Sequence, residues 1–165
     1  MLKNEKVTMM GKLAESYFRK GYCCTEAIFK ASIDLFSLNI PEDAIRMASG
    51  FCGGMGNRES TCGVYSGGVI VTGILAGRST SRDSAELSRD LSGLYTKRLR
   101  AEINEMICKD LLDNMGFIGN MNKRGCRKLT KRGAEILAEI VLENRLEDSR
   151  DQAASTTVKT SYLNK

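Results

Sequence analysis

The sequence predicts an all-α protein: a compact bundle of about five to six helices around a glycine-rich central helix. Three observations carry this. Proline occurs once in 165 residues, so little interrupts a helix. The chain is rich in Ala, Leu, Ile, Met, Glu, Lys and Arg, the residues that lose least on entering a helix. Runs of β-branched and aromatic residues, which strands favour, are scarce.

The first helix is expected over residues 6–20, with Val7, Met10, Leu13, Tyr17 and Phe18 at helical spacing and Gly21 as its C-terminal stop. The second runs from Cys23-Cys24-Thr25-Glu26 to about Leu38, with Ala27, Ile28, Ala31, Leu35 and Phe36 as its apolar stripe. Pro41, Glu42 and Asp43 then start a short helix that reaches Ser49. Residues 50–56, Gly-Phe-Cys-Gly-Gly-Met-Gly, read as a loop where the backbone takes positive φ or something approaches closely.

Residues 62–77 carry no charge and several glycines. The run falls short of the roughly 20 apolar residues that a membrane span needs, and no second such segment accompanies it. It is expected to be the buried central helix, with Gly67, Gly68 and Gly73 facing its neighbours. Asp83 and Glu86 suggest a capping box for a long helix over 84–116, with Leu87, Leu91, Leu94, Leu99, Ile103, Met106 and Ile107 inward. Residues 117–125 read as a polar loop. The last helix is expected over 127–144, with Leu129, Ile136, Leu137, Ile140 and Val141 in its core stripe. Residues 1–146 are therefore expected to form one domain, and 147–165, which lack periodicity, a mobile tail.

Composition also excludes function classes. The net charge of +5 is modest and spread along the chain, and no basic cluster interleaved with aromatics suggests nucleic-acid binding. Histidine is absent. That removes Ser-His and Cys-His catalysis and His-ligated zinc or haem. The opening residues lead into no apolar segment, so a cytoplasmic, reducing compartment is expected. Six cysteines in such a setting point to metal binding or redox chemistry.

Four of them fall at helix ends or beside a loop: Cys24, Cys62, Cys108 and Cys126. In the first turn of a helix, Cys24 and Cys62 would have lowered thiol pKa values. Lys109 beside Cys108, and Arg124, Arg127 and Lys128 around Cys126, would favour those thiolates as well. The thiolate is the reactive nucleophile and the metal ligand. The four are expected to converge, with the glycines of residues 50–56 keeping the site open. No Cys-x-x-Cys pair is present, so neither a thioredoxin-type motif nor a zinc-ribbon spacing is implied.

Residues 21–27 (Gly-Tyr-Cys-Cys-Thr-Glu-Ala), 49–56, 61–68 (Thr-Cys-Gly-Val-Tyr-Ser-Gly-Gly), 107–112 and Cys126 together resemble a redox-active family of small helical proteins named for its C, GCAxxG, C, C cysteine pattern. The resemblance spans residues 12–141. It implies that Cys24, Cys62, Cys108 and Cys126 are the characteristic cysteines, with Cys23 and Cys52 additional. The family resembles the cysteine-bearing part of split-Soret cytochromes, which favours an iron–sulfur cluster on the four thiolates. The haem motif Cys-x-x-Cys-His is absent, so no haem is expected. A dithiol/disulfide couple is the other redox reading. Outside redox chemistry stand a structural or sensory four-cysteine zinc module, and a helical interaction protein whose cysteines are core. Electron transfer or thiol redox chemistry calls for a redox partner, and a homodimer is compatible with the chain.

Overall fold

The computed structural model describes residues 1–146; the tail expected at 147–165 lies outside them. The described residues are all-helical, with one isolated antiparallel bridge. They form α1 (Lys3–Arg19), α2 (Cys24–Phe36), α3 (Glu42–Ser49), α4 (Cys52–Met55), α5 (Gly63–Ala76), α6 (Glu86–Ile103), α7 (Cys108–Gly119), a 3-10 turn (Met121–Lys123) and α8 (Arg124–Glu143). None of these helices is long and apolar enough to cross a membrane.

The expected five to six helices are thus eight α-helices among the described residues. The long helix expected over 84–116 is two. Asn104 takes the left-handed conformation (φ 62°) and its N–H closes on the Arg100 carbonyl at 2.8 Å, ending α6. Asn tolerates that conformation better than most residues. The chain beyond it runs extended, and Ile107 pairs with Thr61 as the antiparallel bridge. The additional short helix, α4, forms within the glycine-rich segment, where Gly53 and Gly54 take φ of 61° and 59°. The cap of α6 also differs from expectation. Ser84 Oγ accepts the Glu86 N–H at 3.1 Å, while the Asp83 carboxylate accepts from the Thr80 hydroxyl at 3.1 Å.

The core is made by α1, α2, α5, α6 and α8. α1 lies on α8 and α2, and α5 packs against α2, α6 and α8. Ile28 and Phe29 of α2, Val64, Tyr65 and Val71 of α5, Tyr95 and Leu99 of α6, and Ile136, Leu137, Ile140 and Val141 of α8 are buried together. Leu87, expected inward, is about half exposed at 52%; it is the second residue of α6, ahead of the buried Leu91, Tyr95 and Leu99. Tyr95 is fully buried, and its hydroxyl donates to the Val64 carbonyl at 2.8 Å. That bond satisfies the one polar atom of a ring that is otherwise surrounded by apolar groups.

Glycine sets how closely α5 meets its neighbours, though not at all three expected positions. A Cβ on Gly68 would lie inside the Tyr95 ring, and one on Gly67 would stand 3.2 Å from Ile28 Cβ. A Cβ on Gly73 would meet nothing within 4 Å. Gly73 is therefore not a packing glycine.

These two positions give opposite expectations. Gly68→Ala forces the buried Tyr95 ring to move and should destabilise by about 1–3 kcal/mol. Gly73→Ala adds only helix propensity and should stabilise by roughly 0.5–1 kcal/mol. Urea denaturation of the two variants measures both, and equal effects would contradict this packing.

Candidate thiol centre

Four helix N-termini carry the four cysteines. Cys24 is the first residue of α2, Cys62 caps α5, Cys108 is the first residue of α7, and Cys126 is the third of α8. At such positions free N–H groups and the helix dipole favour negative charge.

Two local contacts bring three of them together. The α2–α5 crossing is anchored at Thr25, whose hydroxyl donates to the Gly63 carbonyl at 3.1 Å. Residues 24 and 62 immediately precede these two. A Cβ on Gly63 would approach Thr25 Oγ1 at 2.5 Å and Cys24 Cβ at 3.4 Å, so glycine permits this closeness. The second contact is the Thr61–Ile107 bridge. The Cys62 N–H donates to the Met106 carbonyl at 2.7 Å and the Cys108 N–H to the Ser60 carbonyl at 3.0 Å. This ladder sets Cys62 and Cys108 side by side, although they are distant in sequence. The glycine segment closes on them: a Cβ on Gly54 would stand 2.6 Å from Cys108 Cβ.

The result is a chain of sulfurs. The Cys62 thiol lies within hydrogen-bonding reach of Cys24 on one side and Cys108 on the other. Cys62 and Cys108 are buried; Cys24 and Cys126 are half-buried. Cys24, Cys108 and Cys126 line a cavity of about 760 Å³, whose wall also includes Cys23, Gly53 and Arg58. Cys62 sits behind that wall. Cys126 is placed by Asn120, whose side-chain oxygen accepts its N–H at 3.0 Å.

The electrostatics follow from who donates to whom. With a single proton to offer to Cys108 or to Cys24, and buried, Cys62 holds that proton far above the ordinary thiol range. Cys108 accepts from Cys62 and faces Arg58, and its pKa falls to about 7 despite burial. Cys24 is lowered too, chiefly by the Cys62 thiol. Burial opposes this, and the Thr130 hydroxyl lowers it further. Cys126 is pushed up to about 11 by burial and then by the charge on Cys24.

Two sequence expectations are corrected here. Cys62 is not an activated thiol, because its role as donor and its burial outweigh the helix terminus. Cys126 is not favoured as a thiolate by its flanking cations, because burial dominates. The expectation for Cys24 and for Cys108 agrees in direction, with Arg58 rather than Lys109 as the cation that lowers Cys108. Arg58, Thr25 and Asn120 went unremarked in the sequence reading. Thr25 alone had a signal, lying inside the motif that carries Cys24.

Residues 22–140 match the family model described as "Putative redox-active protein (C_GCAxxG_C_C)". The chain belongs to the C_GCAxxG_C_C family. No curated protein and no solved structure matches it. The matched span contains all six cysteines, including Cys23 and Cys52. These two are joined as a disulfide, with Cα atoms 5.7 Å apart. In this C_GCAxxG_C_C chain the disulfide ties the start of α2 to the start of α4 and so borders the thiol centre from outside.

Thiol reactivity should follow the order of the pKa values. In protein with the four thiols reduced, the alkylation rate of Cys108 should reach half its plateau near pH 7, against about 8.5 for a free thiol. Cys62 and Cys126 should stay nearly silent at that pH. Arg58→Gln should move the Cys108 midpoint upward, since a cation that favours the thiolate is lost. Peptide mass spectrometry over a pH series reads all of this, and a Cys108 midpoint at or above that of a free thiol would contradict it.

Proposed function

We propose that this protein is a thiol redox protein that passes two electrons between its own cysteines and a disulfide substrate, with Cys108 as nucleophile and Cys62 as resolving thiol. The observation that carries this reading is the position of Cys62: buried, and between Cys24 and Cys108, both of which line the cavity in front of it. A disulfide bond formed there needs no long movement of the chain.

The exchange balances in three steps. The Cys108 thiolate attacks one sulfur of the substrate disulfide, forming a mixed disulfide and releasing one substrate thiolate. The Cys62 proton passes to the neighbouring Cys24 sulfur. The Cys62 thiolate then attacks Cys108 Sγ, closing Cys62–Cys108 and releasing the second substrate thiolate. Two protein sulfurs are oxidised and the substrate disulfide is reduced. A cavity of about 760 Å³ has the size of small-molecule or peptide-end sites.

A second reading is favoured by a different observation. All four cysteines stand at helix N-termini, which suits an anionic group held between them. Cys24, Cys62, Cys108 and Cys126 would then hold an iron–sulfur cluster, which would supply one-electron transfer. A single tetrahedral zinc is supported less. It would set its sulfurs about 3.8 Å apart, and the four thiols form no group within 4.8 Å of one another; among the described residues that spacing is met by Cys23, Glu26 and Cys52.

Anaerobically purified protein separates the readings. On the thiol reading it is colourless, and mild oxidation yields a Cys62–Cys108 linked peptide in addition to Cys23–Cys52. Cys62→Ser should then trap a mixed disulfide on Cys108 when a disulfide substrate is added, and Cys108→Ser should abolish the reaction. Visible absorption with stoichiometric iron and sulfide, lost on mutating any of the four, would overturn the thiol reading in favour of the cluster.

A further inference from the structure

Cys23 and Cys52 share no atom with the thiol centre, yet they are not alone. Both sulfurs and a Glu26 carboxylate oxygen lie within 4.8 Å of one another, and all three residues are half-buried. Glu26 is fixed in place. Its Oε2 accepts the Cys23 N–H at 2.9 Å, and its Oε1 accepts from the Ser49 hydroxyl. Glu26 is thereby the capping partner of α2, and the same placement sets a carboxylate oxygen beside two sulfurs that become metal-binding thiolates once the bond is open.

We propose that Cys23, Cys52 and Glu26 form a redox-gated binding site for zinc or a zinc-like divalent ion, closed while the disulfide exists and created by its reduction. The reaction balances with a dithiol reductant. The reductant gives two electrons and two protons to the S–S bond, which breaks into two thiols, and itself becomes a disulfide. The ion then displaces both thiol protons, forms two metal–sulfur bonds and takes a Glu26 oxygen as third ligand. Water fills the fourth position, which half-buried residues leave accessible.

The donor set selects the ion. Two thiolates and one carboxylate, with no imidazole, suit a borderline-soft tetrahedral ion; magnesium and calcium would want oxygen throughout. The span also fits. Zinc would hold the two sulfurs about 3.8 Å apart, which cysteines with Cα atoms 5.7 Å apart reach by side-chain rotation. The surplus negative charge of the three ligands sits at the start of α2, where Cys23 is the cap and Glu26 lies in the first turn.

The test uses the whole protein, reduced anaerobically, freed of reductant and titrated with zinc ion. Alkylation of Cys52 is read on the tryptic peptide of residues 47–58, which contains no other cysteine. Zinc should slow that alkylation, and a chelator should restore it. Glu26→Gln should raise the zinc concentration needed for protection by about tenfold or more. Reoxidation to Cys23–Cys52, read as the linked peptide, should expel the zinc equivalent that this site holds. Cys52 alkylating equally fast with and without zinc, or Glu26→Gln matching the parent protein, would overturn the proposal. Because the readout is Cys52 itself, neither result depends on what Cys24, Cys62, Cys108 and Cys126 do.

Discussion

The thiol centre depends on one close approach, where Thr25 of α2 meets Gly63 of α5. The Thr25 hydroxyl bonds to the Gly63 carbonyl, and the space that a Cβ at 63 would need is already taken by Thr25. The Thr25 side chain rests directly on the Gly63 backbone. Because residues 24 and 62 immediately precede this contact, their sulfurs inherit its geometry. The same crossing continues along α5 at Gly67, which rests on Ile28 of α2, while Gly68 makes the separate approach to the Tyr95 ring of α6. The glycines of α5 give up helix propensity, about 1 kcal/mol each relative to alanine, and the approach they allow buries most of the helix.

The third sulfur is delivered by an interruption of regular structure. Had α6 continued through 104–107, Cys108 would have pointed wherever the helix phase left it. Instead the Asn104 stop frees a short extended segment, which pairs with Thr61 and fixes Cys108 beside Cys62. The three sulfurs then share their protons unequally. Cys62 is the donor and keeps its proton; Cys24 and Cys108 accept and are the more acidic. Arg58, from the turn that follows the glycine segment, adds its charge only at the Cys108 end.

The helical character, the order of the main elements and the four cysteines were legible because their signals are local: apolar spacing, glycine stops, and a motif with fixed neighbours. The start of α3 at Pro41 and the stop of α1 before Gly21, whose φ is 100°, followed from single residues. The break at Asn104 was not legible, since Leu99, Ile103 and Ile107 keep a helical spacing across it. Asn104 ends the helix, and the extended segment after it is held by a tertiary pairing with Thr61 that no local signal reveals. The fate of Gly73 was hidden for a similar reason: sequence marks a glycine but not which side of the helix has a neighbour. Equally, no spacing rule joins Cys23 to Cys52, whose pairing is set by the fold of α2 against the glycine segment.

Cys62 is the central sulfur, with Cys24 on one side and Cys108 on the other. The most direct measurement is the pH dependence of Cys108 alkylation in Cys62→Ala, with retention of fold checked by circular dichroism. If Cys62 lowers the Cys108 pKa by donating to it, the midpoint must rise from about 7 towards that of a free thiol. A midpoint unchanged from the parent protein would show that Cys108 owes its acidity to Arg58 or to the helix terminus, and that the three sulfurs do not act as one unit.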